Sequence, residues 1–378
     1  MAGLPSSGVD VDDVSRAARL AMLLLGGAAL VAGLAGALVL IGTPMPSEAA
    51  RLAPSHGVLM TLGFLGTLIA LERAVALGRP WGYLAPLVTG AGGVALVAGA
   101  PQATAALALA AGGAVFVAIY VAFSQLQRSL HLAVEAAGAG AWLVAALLVA
   151  VGQSTPVVVP WLVAFLVMTI MGERLELSAL VRPSARARAA FVAASEGLIV
   201  GVTLVLVLPE VGIRLAGASL LGIAAWAARY DLARRTIRAR GVTRFIALCL
   251  LPGYAWLAVS GAVWVVAGPV TAGAAYDVAL HGAFLGFVIS MVFGHAPVIL
   301  PGVLRVPLPY HPVFYGHLAL LHAGLLVRVV GGDLLDLPGA WRLGGTLNVA
   351  AVVMFLMASV AAAVIGTWRR RHGGTRRA

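Results

Sequence analysis

The chain has 378 residues and a mass of 38.4 kDa; 61% of it is hydrophobic, 10% is charged, and its mean hydropathy is +1.02. Against roughly 25% charged residues in an ordinary soluble domain, that balance excludes a cytosolic enzyme, a disulfide scaffold and a disordered chain. All 25 basic residues are Arg, so Schiff-base chemistry and the Walker-type phosphate loop, which both need Lys, are excluded as well.

A membrane span needs about 20 apolar residues. Apolar runs bounded by Arg, Pro and Gly-rich breaks predict twelve, near 17–41, 55–77, 82–100, 103–123, 131–151, 157–178, 188–208, 211–229, 244–267, 276–298, 312–331 and 342–366. The connections are short, and none is polar enough to form a soluble domain. The expected fold is all-α: one polytopic transmembrane domain over 1–378, ending in a basic cytoplasmic tail at 367–378. No short apolar segment with an A-x-A site precedes the first span, so a cleaved signal peptide is not expected. Cys249 is the single cysteine, which rules out an intrachain disulfide or thiolate cluster.

Arg placement predicts orientation. With the N-terminus inside, the cytoplasmic segments hold 21 Arg residues, and the outer side holds Arg51, Arg214, Arg342 and Arg328. Both termini are therefore expected in the cytoplasm of a bacterial-type inner membrane. The net charge of +11 follows from this topology and implies a lipid bilayer, not nucleic acid, as partner.

Spans 2, 6 and 10 share a pattern: Phe64 to Glu72, Phe165 to Glu173 and Phe287 to His295 are each eight residues apart, four spans from one to the next. Either apolar helices align by composition, or the chain is three pseudo-repeated four-helix units.

Ionisable groups inside a bilayer are expensive, so the histidines are functional candidates. His56 lies at the outer start of span 2, and His281 about four residues, roughly 6 Å, into span 10 from the same face. Gly57, Gly63, Gly66, Gly282 and Gly286 follow them. Two imidazoles at one depth among small residues suit the axial positions of a haem, and the same glycines also suit plain helix packing. Arg51 and Arg328, near that face, are candidate partners for the propionates.

His295 lies 14 residues below His281, about 21 Å along the helix, so one compact site cannot use both. His295, His317 and His322 form a candidate second metal site, drawn together by a Pro-rich turn through Pro297, Pro301, Pro307 and Pro309; a satisfied polar cluster is the alternative. Glu72 and Glu173 sit at inner helix ends beside Arg73 and Arg174. Glu135 and Glu196 lie some turns inside spans 5 and 7. All four carboxylates are proton or ion-pair candidates.

With an outer His on spans 2 and 10, the chain resembles subunit I of the haem–copper oxidase superfamily, whose low-spin haem takes its axial ligands from those helices; the resemblance carries this role to His56 and His281. The runs His281 to Pro297 and Tyr310 to Leu318 are similar to the NnrS family of haem- and copper-containing membrane proteins, tied to nitric oxide metabolism. The resemblance implies haem b, with copper also possible, an outer-face electron donor, and a role in electron transfer or nitric oxide handling or sensing. Spans 6 and 7 hold no His, so the binuclear centre of an oxygen-reducing oxidase cannot be assembled. The alternative function is a haem-free permease whose inner His and Glu groups bind a solute or protons. Oligomeric state is not legible.

Overall fold

In hydrocarbon every backbone N–H and C=O must be satisfied within the chain, which leaves helices as the economical solution for so apolar a sequence. The computed structural model describes residues 14–372, and among them no strand occurs. Twelve helices are long and apolar enough to cross a membrane: α1 (Arg16–Leu40), α2 (Ser47–Leu77), α3 (Pro80–Val97), α4 (Gln102–Leu126), α5 (Leu130–Ala150), α6 (Thr155–Ser178), α7 (Ala185–Leu204), α8 (Pro209–Tyr230), α9 (Gly241–Ala267), α10 (Gly273–Leu304), α11 (Phe314–Leu334) and α12 (Pro338–Arg370). Serines cap three of them: the hydroxyls of Ser15, Ser129 and Ser184 accept from the N–H groups of Ala18, Leu132 and Ala187. Residues 373–378 of the basic tail lie outside the described residues.

Several boundaries correct the sequence expectation. Helical structure toward α2 starts at Ser47 instead of residue 55, because Pro54 sits in a tight turn, Ala53–Ser55, that carries the path onward. Pro297 and Pro301 do not form a turn. They lie inside α10, which continues to Leu304 and stops at Arg305, held at φ +52°. A membrane helix tolerates such prolines where neighbouring groups satisfy the freed carbonyls. α12 likewise extends past the expected 342–366 at both ends.

Burial sorts the helices. The apolar windows of α6, α2 and α10 are 78%, 61% and 61% buried, above every other helix, so these three form the centre. The rest pack as consecutive neighbours around them. α1–α4, α5–α8 and α9–α12 each pack internally, and the joints between these groups are α4 on α5, α8 on α9 and α12 on α1. Close seams need glycine. At the α8–α9 joint, a Cβ on Gly217 or Gly261 would lie 2.7 Å from the carbonyl oxygen of the other.

The central helices also carry irregular turns. Leu59–Gly66 in α2 and Gly282–Ile289 in α10 are π-helical, and each has Gly-Phe at the same place, Gly63-Phe64 and Gly286-Phe287. α6 has no such turn. An extra residue per turn rotates the helix above it relative to the helix below, and such turns are common at functional sites.

Candidate functional site

His56 precedes the π-helical turn of α2 by three residues, and His281 precedes that of α10 by one. Both line one cavity of about 550 Å3, at the end of the bundle that holds Ile41, Gln153 and Thr271. That volume lies within the roughly 300–1,000 Å3 usual for cofactor sites. The lining is mainly apolar, with Met60, Leu162 and Phe284 among its walls.

The hydrogen bonds of the two imidazoles define their chemistry. Nδ1 of His56 lies 2.7 Å from the Gly33 carbonyl of α1, and Nδ1 of His281 lies 3.0 Å from the Asp277 carbonyl one turn earlier. A carbonyl only accepts, so each Nδ1 donates its proton and each Nε2 keeps its lone pair. Neither Nε2 has a hydrogen-bond partner among the described residues. Two half-buried imidazoles thus share a cavity with both Nε2 lone pairs uncommitted.

Asp277 extends the arrangement. Its Oδ1 is 3.2 Å from His281 Nδ1, and its carboxylate accepts two charge-assisted bonds from Arg328, at 2.6 Å to Nε and 2.5 Å to Nη2. The Arg328 guanidinium also lies 4.8 Å from the Trp341 ring centroid, a cation–π contact. Both Asp277 and Trp341 line the cavity, and neither was a sequence candidate. The one available signal for Asp277 was its spacing of four residues before His281 on a helix.

The two expected propionate partners are placed differently. Two of Arg328's three nitrogens are spent on Asp277, which leaves Nη1. Arg51 is exposed and does not line the cavity: its Nη1 would lie 2.8 Å from a Cβ at Gly99.

The other histidines are not brought together. Among the described residues no three His, Cys, Asp or Glu side chains converge as a metal shell. His295 Nδ1 donates to the Met291 carbonyl at 2.7 Å, and its Nε2 faces Arg174 Nη1 at 3.4 Å. Arg174 is pinned by Asp231 at 2.7 and 3.0 Å. His317 is 1% exposed, has neither ring nitrogen hydrogen-bonded, and sits among Phe245, Phe293, Phe314 and Phe355. His322 Nε2 faces Ser290 Oγ at 3.2 Å, and that hydroxyl donates to the Cys249 carbonyl. Of the Pro-rich turn expected to unite them, Pro297 and Pro301 lie inside α10, and Pro307 and Pro309 fall in the irregular connection that follows.

The carboxylates divide as well. Glu72, Glu135 and Glu173 gather on Arg73: Glu72 at 3.5 Å, Glu135 at 3.6 Å, and Glu173 in direct contact. Glu196 stands apart, exposed midway along α7.

A family model described as a domain of unknown function, DUF8744, matches residues 19–364. The chain therefore belongs to that family. No curated protein matches it.

Proposed function

We propose that this DUF8744 member is a b-type haem-binding integral membrane protein, NnrS-like in role, acting in electron transfer or in nitric oxide handling or sensing. The observation that carries the reading is the imidazole pair: His56 and His281 line one cavity, each with Nδ1 committed to a carbonyl and Nε2 left for a metal. Metal-ligating histidines are held in this way, because the second hydrogen bond sets the tautomer and fixes the ring.

The residues present fit the group. His56 and His281 would hold the iron from two helices, and the Nη1 group of Arg328 would face an anionic edge. When bound, haem supplies one-electron exchange. The chain's own contribution is positional. The Gly33 carbonyl and Asp277 orient the rings, Arg328 locks Asp277, and Met60, Leu162 and Phe284 supply apolar walls. His295, His317 and His322 do not fit a copper centre, since each is held in separate surroundings.

The same reading takes the fold as haem–copper oxidase subunit I-like, three four-helix units about a pseudo-threefold axis. Three features support it: α2, α6 and α10 are the most buried helices, the joints repeat every four helices, and the π-helical turns of α2 and α10 match. The absence of His from α6 and α7 argues against oxygen reduction. The Arg distribution supports cytoplasmic termini in an inner membrane, with the haem near the outer face and an electron donor there.

Spectra of four single variants test the site. His56→Ala and His281→Ala should lose the haem or turn it high-spin, while His295→Ala and His317→Ala should keep it. An unchanged low-spin spectrum in His56→Ala would overturn the assignment. A wild-type protein that never carries haem would shift the reading to a haem-free permease.

A further inference from the structure

Away from the cavity, α2, α4, α5 and α6 meet in a second polar site, about one to two turns in from the Arg-rich end. Glu135 is its centre and is 1% exposed. It enters a notch in α6 at Gly172, where a Cβ would lie 2.3 Å from Glu135 Cγ. Any other residue at 172 would close the notch, so α6 is shaped to admit a carboxyl. Around Glu135 stand Arg73 and Glu72 from α2, Tyr120 from α4, and Glu173 and Glu176 from α6; His131 of α5 pairs with Glu176 at 3.9 Å.

The charges do not balance. Glu72, Glu135 and Glu173 share the single guanidinium of Arg73. Three carboxylates this close, with Glu135 buried, favour a further positive charge. Two buried oxygens that face each other mark where it sits. The Tyr120 hydroxyl, in a residue 1% exposed, faces the Glu135 carboxyl beside Arg73. Glu135 Oε2 receives no hydrogen bond, with Arg73 Nη1 at 3.6 Å. The ligand that fits is the smallest cation, since no three acidic or His side chains among the described residues form a metal shell.

We propose that Glu135 is a proton-binding site, loaded from the Arg-rich end through Glu72 and Glu173. The side chains of those two are 24% and 23% exposed, so water reaches them. In the other direction Phe116, Trp142 and Phe165 are fully buried, with ring centroids 4.9 and 5.1 Å apart, and close the interior beyond Tyr120. The proton therefore enters and leaves by one face. Uptake turns the Glu135 carboxylate into a carboxyl, the proton comes from water at that face, and no other bond changes. The proposal is independent of the haem reading and stands or falls separately.

Carbodiimide modification tests it, because the reagent adds to protonated carboxyls in apolar surroundings. The full chain in liposomes is treated at about pH 6 and about pH 9, and adducts are located by peptide mass spectrometry. The expected result is an adduct on Glu135 at the lower pH that falls at least about tenfold at the higher. Glu135→Gln should remove it, and Tyr120→Phe should keep it while moving the titration. No adduct on Glu135 at either pH, although reagent labels the denatured chain, would overturn the proposal. So would labelling indifferent to pH. Protection by sodium at constant pH would overturn it in favour of a metal cation.

Discussion

Asp277 spends one carboxylate on two neighbours, orienting His281 and pairing with Arg328, whose side chain is 7% exposed. Removing a partner from such a buried pair leaves a charge without compensation, at a cost of about 3–5 kcal/mol. Asp277→Asn should therefore lower unfolding stability in detergent by about 3 kcal/mol, and Arg328→Met added to it should recover most of the loss. In the haem-loaded protein Asp277→Asn should also raise the midpoint potential, because the imidazole loses the carboxylate that keeps it basic. A potentiometric titration reads that shift. The two cavity histidines were legible at this scale, since an intramembrane His is costly enough to stand out. Their supports were not: Gly33 acts through its carbonyl, which no residue type advertises, and Arg328 reaches Asp277 across 51 residues.

Helices depend here on what their neighbours leave room for. Gly217 and Gly261 let α8 and α9 meet at backbone distance, with 2.7 Å between a built Cβ and the opposite carbonyl oxygen. Gly261→Leu should force the seam apart and cost about 1–3 kcal/mol, read as a lower midpoint of denaturant unfolding. The connection between α8 and α9 is tied down differently. Asp231 accepts from the Ala233 N–H at 2.6 Å and from Arg174 of α6. Arg174→Leu should destabilise by about 3–5 kcal/mol, and Arg238→Leu, an exposed change nearby, by under about 0.5 kcal/mol, in the same unfolding assay. Hydropathy gave away where these helices run, but not their ends. Proline reads as a breaker in water, and Pro297 and Pro301 are carried inside α10 because a membrane bundle offers other donors. The π-helical turns are likewise invisible to a period of 3.6 residues.

Across the whole molecule, the Phe-to-polar spacing picked out α2, α6 and α10, and burial separates the same three from the rest. Composition and length were sufficient for twelve helices, since each must satisfy its own backbone in lipid. The site needed tertiary structure: depth arithmetic placed His56 and His281 level, but only packing sets both against one cavity and sends His295, His317 and His322 to separate surroundings. The proposed orientation has its own check. In a Cys249→Ala background, a membrane-impermeant maleimide on intact cells should label Ala272→Cys, between α9 and α10, and spare Arg238→Cys, between α8 and α9; both positions are exposed. Labelling of Arg238→Cys alone would reverse the topology.

The absorbance spectrum of the purified wild-type chain, reduced minus oxidised, tests the haem claim most directly. With both axial positions filled by His56 and His281, the bands should be those of a six-coordinate low-spin b-type haem, at about one haem per chain, and carbon monoxide should leave them unchanged. A featureless difference spectrum from protein expressed with ample haem, or a high-spin haem that binds carbon monoxide at once, would contradict it.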